Sequence, residues 1–344
     1  MSLLLSCLRR TGLLGLSLVL VACGAAQLQT NDSSTSPASS SSPGSSGKSI
    51  KVVTTFLPIT LFSRAVAGDC AEVKALIPAS SGPHDFQARP GDLAALREAK
   101  VLVKNGLEME GFLDKLVASA ENPALKVIDS SRGVATIDSP EEPGHTDAKA
   151  EVDAEHSHET GHGHGHGHTH GAVNPHIWLD PLRAVQQVET IRDGLVKADP
   201  SCAEGYRRNA EAYTTQLRAL NTEIAGQLKP FQGKTFVAFH DFAPYFAERF
   251  GLKAEFVVDV PEINPTPADL QRVSEIVERS QLQALLSEPQ EGNRSFNALA
   301  KDLGVRVSVF DPMETASEQA SRDPGTYFSV MRRNVADLRQ AFGG

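Results

Sequence analysis

Between Ala203 and Leu228 the chain carries one apolar stripe: Tyr206, Tyr213, Leu217, Leu220, Ile224 and Leu228 recur three, four or seven residues apart, with no proline before Pro230. That spacing places all six on one face of a single long helix. The helix divides two similar halves. Before it lie the apolar runs SIKVVTTF (49–56), EVKALI (72–77), KVLVKN (100–105) and KVIDSS (126–131), separated by helical patterns such as GDLAALREA. After it come KTFVAFH (234–240), KAEFVV (253–258), ALLSEP (284–289) and RVSVF (306–310). Strand and helix in alternation imply a parallel sheet with helices on its faces. The expected fold is therefore α/β: two α/β lobes with parallel sheets joined by one long rigid α-helix, with a ligand cleft between them. The lobes are expected at 49–200 and 230–344, with the linker helix at 201–229. A helical linker is stiffer than paired strand crossovers, so modest motion is expected on ligand binding. Ligands of such sheets sit outside the carboxyl ends of the strands.

The N-terminus reads as a targeting segment. Arg9 and Arg10 precede a short apolar run, Leu13 to Val21, which ends at Leu20-Val21-Ala22-Cys23. A basic segment, a short apolar run and small residues make a secretory signal, and its ending resembles the bacterial lipoprotein box, with Cys23 as the lipid-modified residue. Residues 24–48, rich in Ser, Gly and Pro, read as a flexible tether. The chain is thus expected on the periplasmic or cell-surface side of a membrane, held by lipid alone. A formal net charge of −9 without a basic stripe argues against nucleic acid. With Cys7 in the signal and Cys23 lipidated, Cys70 and Cys202 remain, either paired or each buried and free.

Histidine carries the chemistry. From His156 to Pro181 the sequence is HSHETGHGHGHGHTHGAVNPHIWLDP. Outside the His-rich insert, at about 140–172, only His84, His176 and His240 remain. His84 follows the second strand, His240 ends the fifth, and Glu288 and Asp311 lie near the ends of two others. Three imidazoles and a carboxylate form a ligand set for zinc. They are scattered through the chain rather than locally spaced, and each histidine taken singly reads as well as a loop residue bonded to backbone.

Residues 49–344 resemble the metal-binding lipoproteins of bacterial ABC importers, of the zinc-binding ZnuA type and its manganese-binding relatives. HDFQARPGDL, NPHIWLDP and AFHDFAPYFAERFGL look like that family's three ligand segments, in order, with His84, His176 and His240 at the ligand positions. SEPQ and FDPM match segments near the fourth position, where Asp311 is the better candidate, with water as the alternative. Gln87-Ala88 departs from the Glu-Pro of many members. The resemblance implies capture of Zn2+ and delivery to an ABC permease whose ATPase is a separate chain. A monomer is expected. Manganese-type members place a carboxylate where this chain has His240, and imidazole favours zinc, copper or nickel over manganese. No Walker A loop is present, so no ATPase and no enzyme is expected.

The glycine-interleaved histidines, His156, His158, His162, His164, His166, His168 and His170, cannot form a fixed cage and are expected to be a secondary metal site. Three roles stand open: gathering zinc for the cleft, sensing excess metal, or incidental affinity. The rival functions are a manganese or iron carrier of the same class, a surface adhesin, and a zinc hydrolase with Glu288 or Asp241 as base.

Overall fold

The computed structural model describes residues 49–84, 86–139, 171–261, 264–289 and 294–343. The signal, Cys23, the tether and all seven histidines of the His-rich run lie outside the described residues.

The first lobe runs β1 (Ile50–Thr54), α1 (Leu57–Ala67), β2 (Ala71–Ala75), α2 (Pro90–Glu98), β3 (Val101–Lys104), α3 (Leu113–Ala120), β4 (Lys126–Asp129) and α4 (Pro181–Ala198). The uninterrupted helix α5 (Ala203–Leu228) follows. The second lobe holds β5 (Thr235–His240), α6 (Pro244–Phe250), β6 (Lys253–Val258), α7 (Pro267–Ser280), β7 (Ala284–Ser287), α8 (Arg294–Asp302), β8 (Arg306–Val309) and α9 (Thr326–Ala341). Both sheets are four-stranded and parallel, ordered β2-β1-β3-β4 and β6-β5-β7-β8. The order reverses direction beside β1 and beside β5, and the crevice at such a reversal is where an α/β sheet receives a ligand.

Proline starts several of these helices. Pro58, Pro90, Pro181, Pro244 and Pro267 stand in the first turn, where a missing N–H costs nothing. Asp180 caps α4 by accepting from the Leu182 N–H at 2.8 Å, and Thr266 with Asp269 closes a capping box on α7.

The stripe of α5 is buried, as its spacing requires: Tyr206, Leu217, Leu220, Ile224 and Leu228 have no exposed surface and Tyr213 almost none. Each such side chain contributes on the order of 2 kcal/mol of burial. The helix packs on α1 and α4 of the first lobe and on α6 and α9 of the second. Aromatic rings continue the joint: Phe62 of α1 lies 6.1 Å from Tyr213 and 5.2 Å from Tyr327 of α9, and Tyr213 lies 5.0 Å from Phe328. One apolar core therefore runs through both lobes and the linker. Cys70 and Cys202 form a disulfide, which settles their state and ties the end of α1 to the start of α5.

Candidate metal centre

Each lobe directs polar side chains toward the gap at its sheet's carboxyl end. His240 is the last residue of β5 and Glu288 follows β7, its neighbour in the sheet. His84 comes from the loop between β2 and α2. His176 opens the short 3-10 turn Ile177–Leu179 that leads into α4. Glu314 lies on the segment after β8.

Among the described residues, His84, His176, His240 and Glu314 form the one group of His, Cys, Asp or Glu side chains that could hold a metal, with one ligand atom each, all within 4.8 Å of one another. A single carboxylate oxygen, Glu314 Oε1, stands 3.1 Å from His84 Nε2, 3.2 Å from His176 Nε2 and 3.4 Å from His240 Nε2. The Nε2 atoms of His176 and His240 are 3.4 Å apart. Zinc bonds of about 2.0–2.1 Å in a tetrahedron separate ligand atoms by about 3.3 Å. Four edges of the cluster already have that length.

Asp311, the expected fourth ligand, lies outside this group, and Glu314 stands in it. The cause is a turn. Asp311 Oδ1 accepts from the Met313 N–H at 2.8 Å, and Met313 adopts a left-handed backbone (φ 61°), uncommon for a residue other than glycine. The chain reverses there and aims Glu314 into the gap. Asp311 is committed to the turn, and burial raises its carboxyl to about 6.

The ring nitrogens facing away from the cluster are held by acceptors. His240 Nδ1 lies 2.6 Å from Glu288 Oε1, which also accepts from the His240 backbone N–H at 3.2 Å. His176 Nδ1 lies 3.0 Å from Asn174 Oδ1, and Asn174 Nδ2 donates to Asp241 Oδ2 at 3.0 Å and to the Asp241 carbonyl at 2.7 Å. An acceptor on Nδ1 keeps the proton there and turns the Nε2 lone pair toward the metal position. In the sequence Glu288 reads as a carboxylate near a strand end, in a segment near the fourth position; its hydrogen bond to His240 Nδ1 depends on the β5–β7 pairing.

The electrostatics suit a cation. Burial pushes His176 down to about 3, so its imidazole is neutral at neutral pH. His240 is also deeply buried, but Glu288 and Glu314 outweigh that and hold it well above its ordinary value. Glu314 is held well below the usual carboxylate range: burial opposes ionisation, and the neighbouring His84 and His240 prevail with hydrogen bonds from His176 and His240. Without a metal the carboxylate attracts a proton onto His240; a dication at the centre would displace it.

Residues 52–341 match the family model described as zinc-uptake complex component A, periplasmic. The chain belongs to this family. One relative within reach is the zinc-binding lipoprotein AdcA of Streptococcus pneumoniae serotype 4, 31% identical over 292 residues, covering 85% of this chain and 55% of that protein. The chain thus spans about half the length of the AdcA relatives it matches. The high-affinity zinc uptake system protein ZnuA of Bacillus subtilis is 27% identical over 301 residues, covering 87% of this chain and 90% of that one. The crystal structure of the Zn(II)-bound ZnuA-like domain of Streptococcus pneumoniae AdcA superposes with a TM-score of 0.68 at 28% identity, over 86% of this chain and 99% of that domain. No helix among the described residues is long and apolar enough to cross a membrane.

Proposed function

We propose that this chain is the extracytoplasmic zinc-binding subunit of an ABC importer. It takes up Zn2+ through His84, His176, His240 and Glu314 and passes it to a membrane permease driven by a separate ATPase chain. The observation that carries this is the convergence of three Nε2 atoms on one carboxylate oxygen at tetrahedral-edge distances, in a buried gap fed by both lobes. Three imidazoles and one carboxylate favour zinc over manganese. Family membership and the zinc named in both relatives and in the superposed domain support the same metal.

The same geometry disfavours a hydrolase. Glu288 is engaged on the far nitrogen of His240, and Asp241 is engaged by Asn174. Neither carboxylate is placed as a base for a metal-bound water. Cys23 would carry the lipid that holds the chain at the outer face of a membrane, with 24–48 as tether. The seven histidines between His156 and His170 would concentrate zinc near the cleft, as tethered weak sites raise local concentration.

The test is the zinc content of protein purified without an affinity tag, compared with His240→Ala and with a chain lacking residues 145–171, under zinc–manganese competition. One tight zinc is expected in the parent and in the shortened chain, with manganese ignored, and none in His240→Ala. Loss of tight zinc with the His-rich run, and its retention in His240→Ala, would overturn the proposal.

A further inference from the structure

Behind the metal centre the lobes are fastened by a charge cluster built on a buried aspartate and made of residues other than the four proposed ligands. Asp180, the residue that caps α4, is completely buried. Its carboxylate receives Arg183 Nη1 at 2.8 Å from its own lobe. From α6 of the other lobe, Arg249 reaches it with Nε and Nη2, each at 2.7 Å, in a two-pronged fork. Arg183 extends the joint, with Nη2 3.3 Å from Glu248 on α6 and its guanidinium 4.6 Å from the centre of the Tyr245 ring. Tyr245 Oη donates to the Asn174 carbonyl at 2.6 Å and accepts from the Ile137 N–H at 3.0 Å. Apart from the Asp180–Arg183 pair, these contacts cross from the first lobe to α6 of the second.

We propose that the Asp180–Arg249 pair is an interlobe latch that sets how fast metal enters and leaves the cleft. The proposal rests on the zinc-site reading above. His84 comes from the first lobe and His240 and Glu314 from the second, so a metal held by all of them leaves readily only when the lobes part. The planar guanidinium fork fits a carboxylate with two parallel bonds, geometry that a lysine cannot reproduce. The latch is built from groups outside the ligand set, so it favours the closed arrangement equally whether the centre is empty or filled. Weakening it raises the open population in both cases. Entry and exit then accelerate by the same factor, and the affinity, their ratio, is left nearly unchanged. Damage to the centre itself has a different signature: faster exit with a matching loss of affinity.

Arg249→Gln isolates this effect. Asp180 keeps Arg183 and the Leu182 N–H, so no buried carboxylate is stranded, and Arg249 is itself about one-third exposed (32%). Zinc association and dissociation would be followed by stopped flow with a fluorescent chelator, using the full chain. Both rates are expected to rise at least about tenfold, with the affinity changed by less than about threefold, and Arg249→Lys should recover part of the effect. Rates within twofold of the parent, or faster exit alone with affinity falling in proportion, would overturn the latch. Amide hydrogen exchange of the peptide holding Ile137, in chelator, gives a metal-independent readout. It should quicken in Arg249→Gln, and unchanged exchange would sink the latch whatever zinc does. If the parent binds no tight zinc while exchange still quickens, the latch stands and the zinc reading falls.

Discussion

Replacing Glu314 and Asp311 in turn separates the proposed ligand from the residue that aims it. Glu314 Oε1 lies within 3.4 Å of three imidazole nitrogens. Glu314→Gln keeps the size of the side chain and removes the charge that balances a dication. Changing a group that merely orients a ligand lowers metal affinity by about 10–100-fold, so loss of a charged ligand belongs at or beyond the upper end. At least about 100-fold weaker zinc binding is expected, near 2.7 kcal/mol. Asp311→Asn retains an oxygen for the Met313 N–H, so the turn survives and affinity should stay within about threefold. Asp311→Ala removes that acceptor, releases Met313 from its left-handed conformation, and should fall between the two. Competition against a chelator of known affinity, with stoichiometry measured on each variant, reads all three. Tight zinc kept in Glu314→Gln but lost in Asp311→Asn would return Asp311 to the metal and refute the turn.

Two further outcomes follow from the surroundings. Glu288→Ala leaves all four proposed ligands in place but frees His240 to rotate and change tautomer, so zinc affinity should drop about 10–100-fold; an unchanged affinity in the same titration would remove Glu288 from the site. Glu110 is buried just beyond the carboxyl ends of β1 and β3, where it accepts from Thr55 Oγ1 at 2.7 Å and from the Asn105 and Gly106 N–H groups at 2.7 and 3.1 Å, yet burial outweighs these donors and raises it from 4.5 to about 7. Its folded value exceeds its unfolded one, so its contribution to stability is complete below pH 4.5 and declines as pH rises toward 7. Glu110→Gln should therefore gain about 3 kcal/mol on the parent between pH 4.5 and pH 8. Urea unfolding in chelator at both pH values measures that gap, and a gap independent of pH would show that the buried carboxyl is already ionised.

Local patterns carried much of the fold. The period of Tyr206 to Leu228 specifies one long buried helix, because the spacing of apolar residues on a helix is a property of the chain alone. Eight short apolar runs between helical patterns become eight parallel strands for the same reason. The three histidines outside the insert were legible as candidate ligands through their scarcity, the positions of His84 and His240 at strand ends, and the resemblance of NPHIWLDP and AFHDFAPYF to a family.

The fourth member of the cluster was not legible. Asp311 and Glu314 are three residues apart on an irregular segment, where no periodicity tells which way a side chain points. A left-handed Met313 decides it, and that conformation is stabilised by a hydrogen bond that only the folded turn brings together. Glu288 on His240 and Arg249 on Asp180 are likewise partnerships between residues 48 and 69 apart in sequence. The same holds for Cys70 and Cys202, separated by 132 residues, whose pairing the sequence left open. Sequence by itself determined which elements form and which residue types have metal chemistry, since both depend on near neighbours. Tertiary structure decided which carboxylate faces the histidines and what locks the lobes behind them, since those depend on where distant strands and helices end.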